Sequence, residues 1–149
     1  MSPVDQVGTG GTGAPRITLA TLHQASAQAV FEQVGRHLLA QGDWSWREIG
    51  DDNFSDQGCA YRGEHGRQCG AGNVIGDDEY QPAFEGRNWT NLREAGLVPE
   101  AHFHLIRDLQ HVHDLSAPSV WPERLADVAE KHGLQLPPDI RARRAEVTE

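Results

Sequence analysis

The sequence predicts an α+β fold, mainly α, in which three main helices pack around a short β-hairpin. Three observations predict it. Apolar residues recur at helical spacing in three separate stretches. Among them lies a glycine-rich run, GCAYRGEHGRQCGAGNVIGDDEY from Gly58 to Tyr80, with two short strand candidates flanking a tight connection. The length of 149 residues allows one domain with a single modest core.

The first helix is expected from Thr18 or Thr21 to about Gln41. Ala27, Val30, Phe31, Val34 and Leu38 form its apolar stripe, and Gly42 ends it. Gly35, costly inside a helix, marks the close approach of another element. Asp43 to Gln57 then carries Trp44, Trp46, Ile49 and Phe54 among acids. This reads as a short strand or an aromatic-pinned loop over the core, and exposed indoles would also suit a binding surface.

In the hairpin, Cys59 to Arg62 and Arg67 to Cys69 are the strands, and Gly63-Glu64-His65-Gly66 is the connection. An isolated hairpin is marginal in water, so it must lean on the helices. Gly70, Gly72 and Gly76 let the chain bend around Val74 and Ile75, and Asp77-Asp78-Glu79 suits the first turn of a short helix. Asn88 is a cap for a short helix ended by Gly96. The second strong helix, Glu100 to about Asp114, buries Leu105, Ile106, Leu109 and Val112. The third begins at Ser119 or Trp121 with Pro122 in its first turn, and Gly133 ends it. Residues 1–16 are expected as a disordered Gly/Thr-rich leader, 17–136 as the single domain, and 137–149 as a flexible charged tail.

Composition narrows the function. The net charge is −9, and Asp43 to Glu100 holds twelve acids against five arginines, a balance of −7. Such a surface does not suit nucleic acid, whose phosphates need clustered Lys and Arg. No apolar run approaches the roughly 18 residues of a membrane span. No signal peptide follows Met1, so the expected location is cytoplasmic and the two cysteines are expected as reduced thiols.

Several residues could carry chemistry. His104, Asp108 and His111 share one helix face by their spacing of four and three, a half-site that Cys59, Cys69 or His65 would have to complete for zinc. No cofactor is otherwise expected. His113, followed by Asp114, sits at the edge of the buried stripe and is read first as an interior imidazole bonded to the hairpin backbone. A catalytic version would pair His113, with Asp114 behind it, with the thiol of Cys59 or Cys69. Tyr61, Arg62, Glu85 and Arg107 are the ligand-binding candidates, since arginine in a glycine-rich setting can grip an anion in bidentate fashion. Fastening neighbouring loops is the competing role.

The run from Cys59 to Tyr80, with Tyr61-Arg62-Gly63, Gly66, Cys69, Gly72, Ile75, Asp77 and Tyr80 in register, resembles a family of small uncharacterised proteins of bacteriophages and proteobacteria. The Glu85-Gly86 pair and the helix with Leu109-Gln110 and His113-Asp114 fit the same pattern, as do Trp121 and His132-Gly133-Leu134. At Asn73-Val74 the chain departs from it, where the pattern carries a cysteine or another small residue. The resemblance implies a phage or prophage setting and a small soluble accessory role, and the partner expected is a host or phage protein. The leading expectation is therefore a small accessory protein binding a macromolecule through an acidic, aromatic-bearing surface. Whether the chain is an enzyme stays open: the alternatives are a pocket at the hairpin using Arg62, Cys69 and His113, or a metal-stabilised module.

Overall fold

Apolar stripes, caps and glycine stops produce five α-helices among residues 16–45 and 60–147, which are the residues the computed structural model describes. They are α1 (Ala27–Gln41), α2 (Trp89–Glu94), α3 (Phe103–Leu115), α4 (Trp121–His132) and α5 (Pro138–Val147). The leader up to residue 15, and with it Trp46, Ile49, Phe54 and Cys59, lie outside the described residues.

Ser26 opens α1 by accepting the Ala29 N–H at 3.0 Å, and Gly42 closes it at φ 71°. Thr18 and Thr21 precede this start and belong to a separate turn ahead of the short 3-10 segment Leu22–Gln24. A reciprocal box between Asn88 and Asn91 starts α2. Pro122 sits in the first turn of α4, and Gly133 ends that helix at φ 68°. α3 packs on α1, α2 and α4, while α5 packs on α4. Their shared core includes Phe31, Leu38, Leu109, Trp121 and Leu125, all essentially inaccessible to solvent.

The expected α+β class with a β-hairpin is corrected by the structure: among the described residues there is no strand. The segment from Ala60 to Cys69 does double back, with Cys69 N–H donating to Ala60 O at 3.3 Å and Gly63 N–H to Arg67 O at 2.8 Å. It forms no ladder because side chains take the backbone groups a strand partner would take. The Glu85 carboxylate accepts the N–H groups of Tyr61 and Arg62, both at 3.0 Å. Gln41 binds the Gln68 N–H at 2.8 Å and its carbonyl at 2.9 Å. His65 turns the tip at φ 61° in place of an extended residue.

The end of the chain also differs from expectation. The segment read as a charged tail carries α5, and its Ile140 is fully buried. The methyl end of Ile140 lies 3.4 Å from where a Cβ on Gly35 would stand, so Gly35 admits the α5 side chain to the surface of α1.

Two loop glycines face opposite constraints. A Cβ on Gly72 would lie 2.5 Å from the Tyr61 carbonyl oxygen, whereas one on Gly66 meets nothing within 4 Å but is strained at φ +75°. Gly72→Ala should therefore cost about 3 kcal/mol or more. Gly66→Ala should cost about 1 kcal/mol. Urea unfolding of the two variants checks the ranking, and equal losses would contradict it.

Candidate functional site

The residues proposed for chemistry fall into two groups, one tied into the interior and one along a surface groove. Arg62 belongs to the first. Its guanidinium donates to the carbonyls of Tyr61 (3.1 Å), Gly72 (3.0 Å) and Ile75 (2.6 Å) and meets Asp77 at 3.1 Å, while stacking over Tyr80. Glu85, besides holding the Tyr61–Arg62 backbone, accepts the Tyr80 hydroxyl at 2.7 Å. Tyr61 donates its own hydroxyl to Arg87 O at 2.6 Å. The glycines allow this because the loop backbone must pass close to its clamp.

His113 is 1% exposed and stacks on the indole of Trp121 at 5.6 Å. Its Nε2 accepts the Ser45 N–H at 2.8 Å, so Nδ1 carries the proton that meets Asp114 at 2.8 Å. Ser45, His113 and Asp114 thus lie in one hydrogen-bonded series through the main-chain N–H of Ser45. The hydroxyl of Ser45, however, donates to Ala60 O at 2.7 Å, and the serine is fully buried. The interior imidazole expected from the sequence is present, bonded to Ser45 in place of the expected hairpin. Cys69 is also buried, its Sγ accepting the Gly72 N–H at 3.3 Å.

The second group lies on the outer side of α3. His104 and His111 are exposed, but Asp108 between them turns inward and is buried. One of its oxygens receives His132 Nε2 at 2.8 Å and Lys131 Nζ at 2.9 Å; the other meets Arg107 at 3.3 Å. Among the described residues no group of three or more His, Cys, Asp or Glu is arranged to hold a metal ion. Burial raises the Asp108 carboxyl, but the hydrogen bonds from His132 and Lys131, with the Lys131 charge and Arg107, outweigh it and leave it below its ordinary value. Arg107 also lies against the Phe103 ring.

Asp108 stands at one end of a groove of about 420 Å³ between α3 and α4. Val112 and Val128 line it, Lys131 and Arg124 stand on its α4 rim, and Leu115 and Ser116 close its far end. Leu115 is 75% exposed, and Trp44, 41% exposed, donates its indole N–H to Ser116 O at 3.1 Å. Sequence spacing nominated Asp108 and His111 here and flagged Trp44. It missed Lys131 and His132, more than twenty residues away, and Leu115, which reads as one more helix-end apolar residue. No family model, no curated protein and no solved structure matches the chain.

Two interior groups make stability respond to acid in separate windows. Burial pushes His37 below its ordinary value of 6.5, nearby positive charges add to this, and its bond to Gln68 O opposes it. The unfolded chain therefore binds that proton first. The His37 contribution is whole above about pH 6.5 and is lost as pH falls from there through the lowered folded value. The Asp108 contribution is whole above about pH 3.8 and is lost as pH falls through its own lowered value. Urea midpoints against pH should show both steps, His37→Gln removing the first. Asp108→Asn should shrink the second, to which Asp139 also contributes through its lowering by Arg36, and cost about 2 kcal/mol near neutrality. An unchanged profile in either variant would refute the corresponding assignment.

Proposed function

We propose that this chain is a non-catalytic accessory module that docks a segment of a partner protein in the groove between α3 and α4. One observation carries the reading: Leu115, three-quarters exposed, closes one end of a groove lined by Val112 and Val128, and the partly exposed indole of Trp44 is held to the neighbouring Ser116 carbonyl. An aromatic and an aliphatic side chain left in water around a concavity are the usual anchors of a protein contact. The polar groups best suited to catalysis, by contrast, are occupied by internal bonds: Arg62 by three carbonyls, and His113 by Ser45 and Asp114.

The rim defines the partner's chemistry. Lys131 and Arg124 are 60% and 51% exposed, and among the described residues they pair with Asp108 and Asp127 respectively. The Arg124–Asp127 pair is exposed on both sides, contributes little and exchanges partners readily, whereas Lys131 is exposed but anchored on the buried Asp108 carboxylate. The fitting occupant is a segment that offers a leucine- or phenylalanine-sized side chain to Val112 and Val128 and an acidic residue to the rim. The aromatic part of the surface expected from the sequence is thereby retained through Trp44, while the contact itself is with an acidic segment. The resemblance to phage and prophage proteins makes a host or phage protein in the cytoplasm the natural source of that segment.

Selection from a displayed random peptide library against the purified protein tests this. Enriched peptides should carry a large apolar residue next to Asp or Glu. Leu115→Asp, at a position exposed enough not to disturb folding, should weaken them at least about tenfold, or about 1.4 kcal/mol. Absence of enrichment, or undiminished binding to folded Leu115→Asp protein, would sink the reading.

A further inference from the structure

The α3–α4 groove is built from one pattern used twice. On the α3 side it is lined by Asp108, His111, Val112 and Leu115, and on the α4 side by Arg124, Asp127, Val128 and Lys131. Each set stands at i, i+3, i+4 and i+7, a single helical stripe two turns long. The stripes run in opposite directions: Asp108 meets Lys131 at 2.9 Å at one end, and Ser116 O accepts the Trp121 indole at 3.1 Å at the other. From this geometry we infer that the groove receives an amphipathic α-helix with an acid, a base and a second acid along its α4-facing edge. The inference rests on the docking role given to the groove above and specifies what docks there.

Backbone chemistry selects a helix. The groove walls are helices whose N–H and C=O groups are bonded internally, and among the described residues no strand offers an edge. An extended segment would press peptide groups against Val112 and Val128 with nothing to replace their lost water. A helix satisfies its own backbone and presents apolar side chains at i, i+3, i+4 and i+7 to such a groove. The order of charge then selects its polar edge. Arg124, Asp127 and Lys131 are 51%, 61% and 60% exposed, and they set the α4 rim as plus, minus, plus over seven residues, about 10.5 Å along the axis. A helix laid alongside, in either direction, with acid, base and acid at i, i+3 or i+4, and i+7 puts an opposite charge beside each. The Arg124–Asp127 pair gives up little in re-pairing across the interface. Lys131 stays on the buried Asp108 and still has ammonium hydrogens for a second carboxylate.

The experiment uses the full chain and three synthetic peptides of about sixteen residues, each alanine-based with one leucine stripe, near the length at which isolated helices begin to form. The first carries Glu, Lys and Glu at i, i+4 and i+7 beside the stripe. The second carries Lys, Glu and Lys there, and the third is the first with one central, outward-facing alanine replaced by proline. Fluorescence polarisation reads affinity, and circular dichroism reads helicity. The first peptide should bind at roughly 100 μM or tighter and gain helicity on binding. The second should bind at least about tenfold more weakly, although a chain of net charge −9 attracts it more strongly at long range. Proline should weaken binding at least about tenfold by breaking the helix. Arg124→Glu, at an exposed position, should narrow the preference for the first peptide at least about threefold.

The outcomes separate this inference from the docking role beneath it. Suppose library-selected peptides bind through Leu115 but the first peptide does not, or proline is tolerated, or the order of charge makes no difference. Any of these overturns the helical assignment and leaves the docking role standing. If no peptide, selected or designed, responds to Leu115→Asp, both fall. A dimer of the chain that Leu115→Asp dissociates would give the groove to a second copy and overturn the inference. NMR contacts between the Val112 methyls and another segment of the free chain would do the same.

Discussion

Every backbone N–H and C=O that leaves water must find a partner, and a buried loop with neither helix nor strand partner must find many of them among side chains. That requirement governs the centre of this protein. The bent segment from Ala60 to Ile75 runs between α1 and α3, and side chains from both helices meet it. From α1, Gln33 pins Asn73 at 3.1 Å, His37 donates to Gln68 O at 2.8 Å, and Gln41 grips the Gln68 backbone. These three positions, four residues apart, form one polar stripe on a helix that otherwise buries Phe31 and Leu38. From α3, Gln110 accepts the buried Ala71 N–H at 2.7 Å. Each such bond is modest by itself, but a buried group deprived of its partner costs the full desolvation penalty. The clamps therefore act together, and the segment has one conformation because few others satisfy them all.

The same requirement explains why the residues that look most chemically capable sit in the interior. Arginine, glutamate and histidine are the side chains long and polar enough to stand in for a strand. Arg62 replaces a run of N–H donors for three carbonyls, and Glu85 replaces a carbonyl pair for two successive N–H groups. His113 supplies an acceptor to Ser45, whose own carbonyl and hydroxyl then bind Ala60. An imidazole oriented by an aspartate has the geometry of a general base. Here its acceptor nitrogen already holds a backbone proton, and the stacked Trp121 ring covers it.

What could be read from the sequence divides along the same line. The start of α2 at Asn88, the proline and glycine that bound α4, and the Gly42 stop of α1 are local signals, and they hold because a cap is formed by residues three or four apart. The α3 stripe of Leu105, Ile106, Leu109 and Val112 was equally legible. The glycine-rich run was misread as a hairpin because alternation and a tight turn resemble one whether a strand or a set of side chains completes the hydrogen bonds. The competing partners, Gln33, His37 and Gln41, looked like an ordinary solvated helix face. α5 was hidden for a different reason: RARRAE has no apolar period, and the helix is tied down through Ile140 and the Arg36–Asp139 pair at 2.8 Å. At the surface site, Asp108 and His111 were found by spacing, whereas Lys131 reaches Asp108 only after α4 folds back on α3.

The connector between α3 and α4 draws these threads together. Ser116 is the extended residue that follows α3, and its carbonyl accepts two indole N–H groups, from Trp44 and Trp121, each at 3.1 Å. A carbonyl oxygen has two lone pairs, so this single atom is saturated and fixed from two sides. Ser116 lines the groove on one side, and Pro118 and Ser119, two and three residues on, line a smaller cavity against Leu39 and Trp121. Pro118 limits the backbone freedom between them. The connector is thus held by a pair of hydrogen bonds at one point, with Trp121 buried and Trp44 partly in water. Burying one indole anchors the connector to the core, while the other leaves an aromatic face exposed next to Ser116 at the end of the groove. A single carbonyl at the end of α3 therefore links the packing of the core to the shape of the surface that a partner would meet.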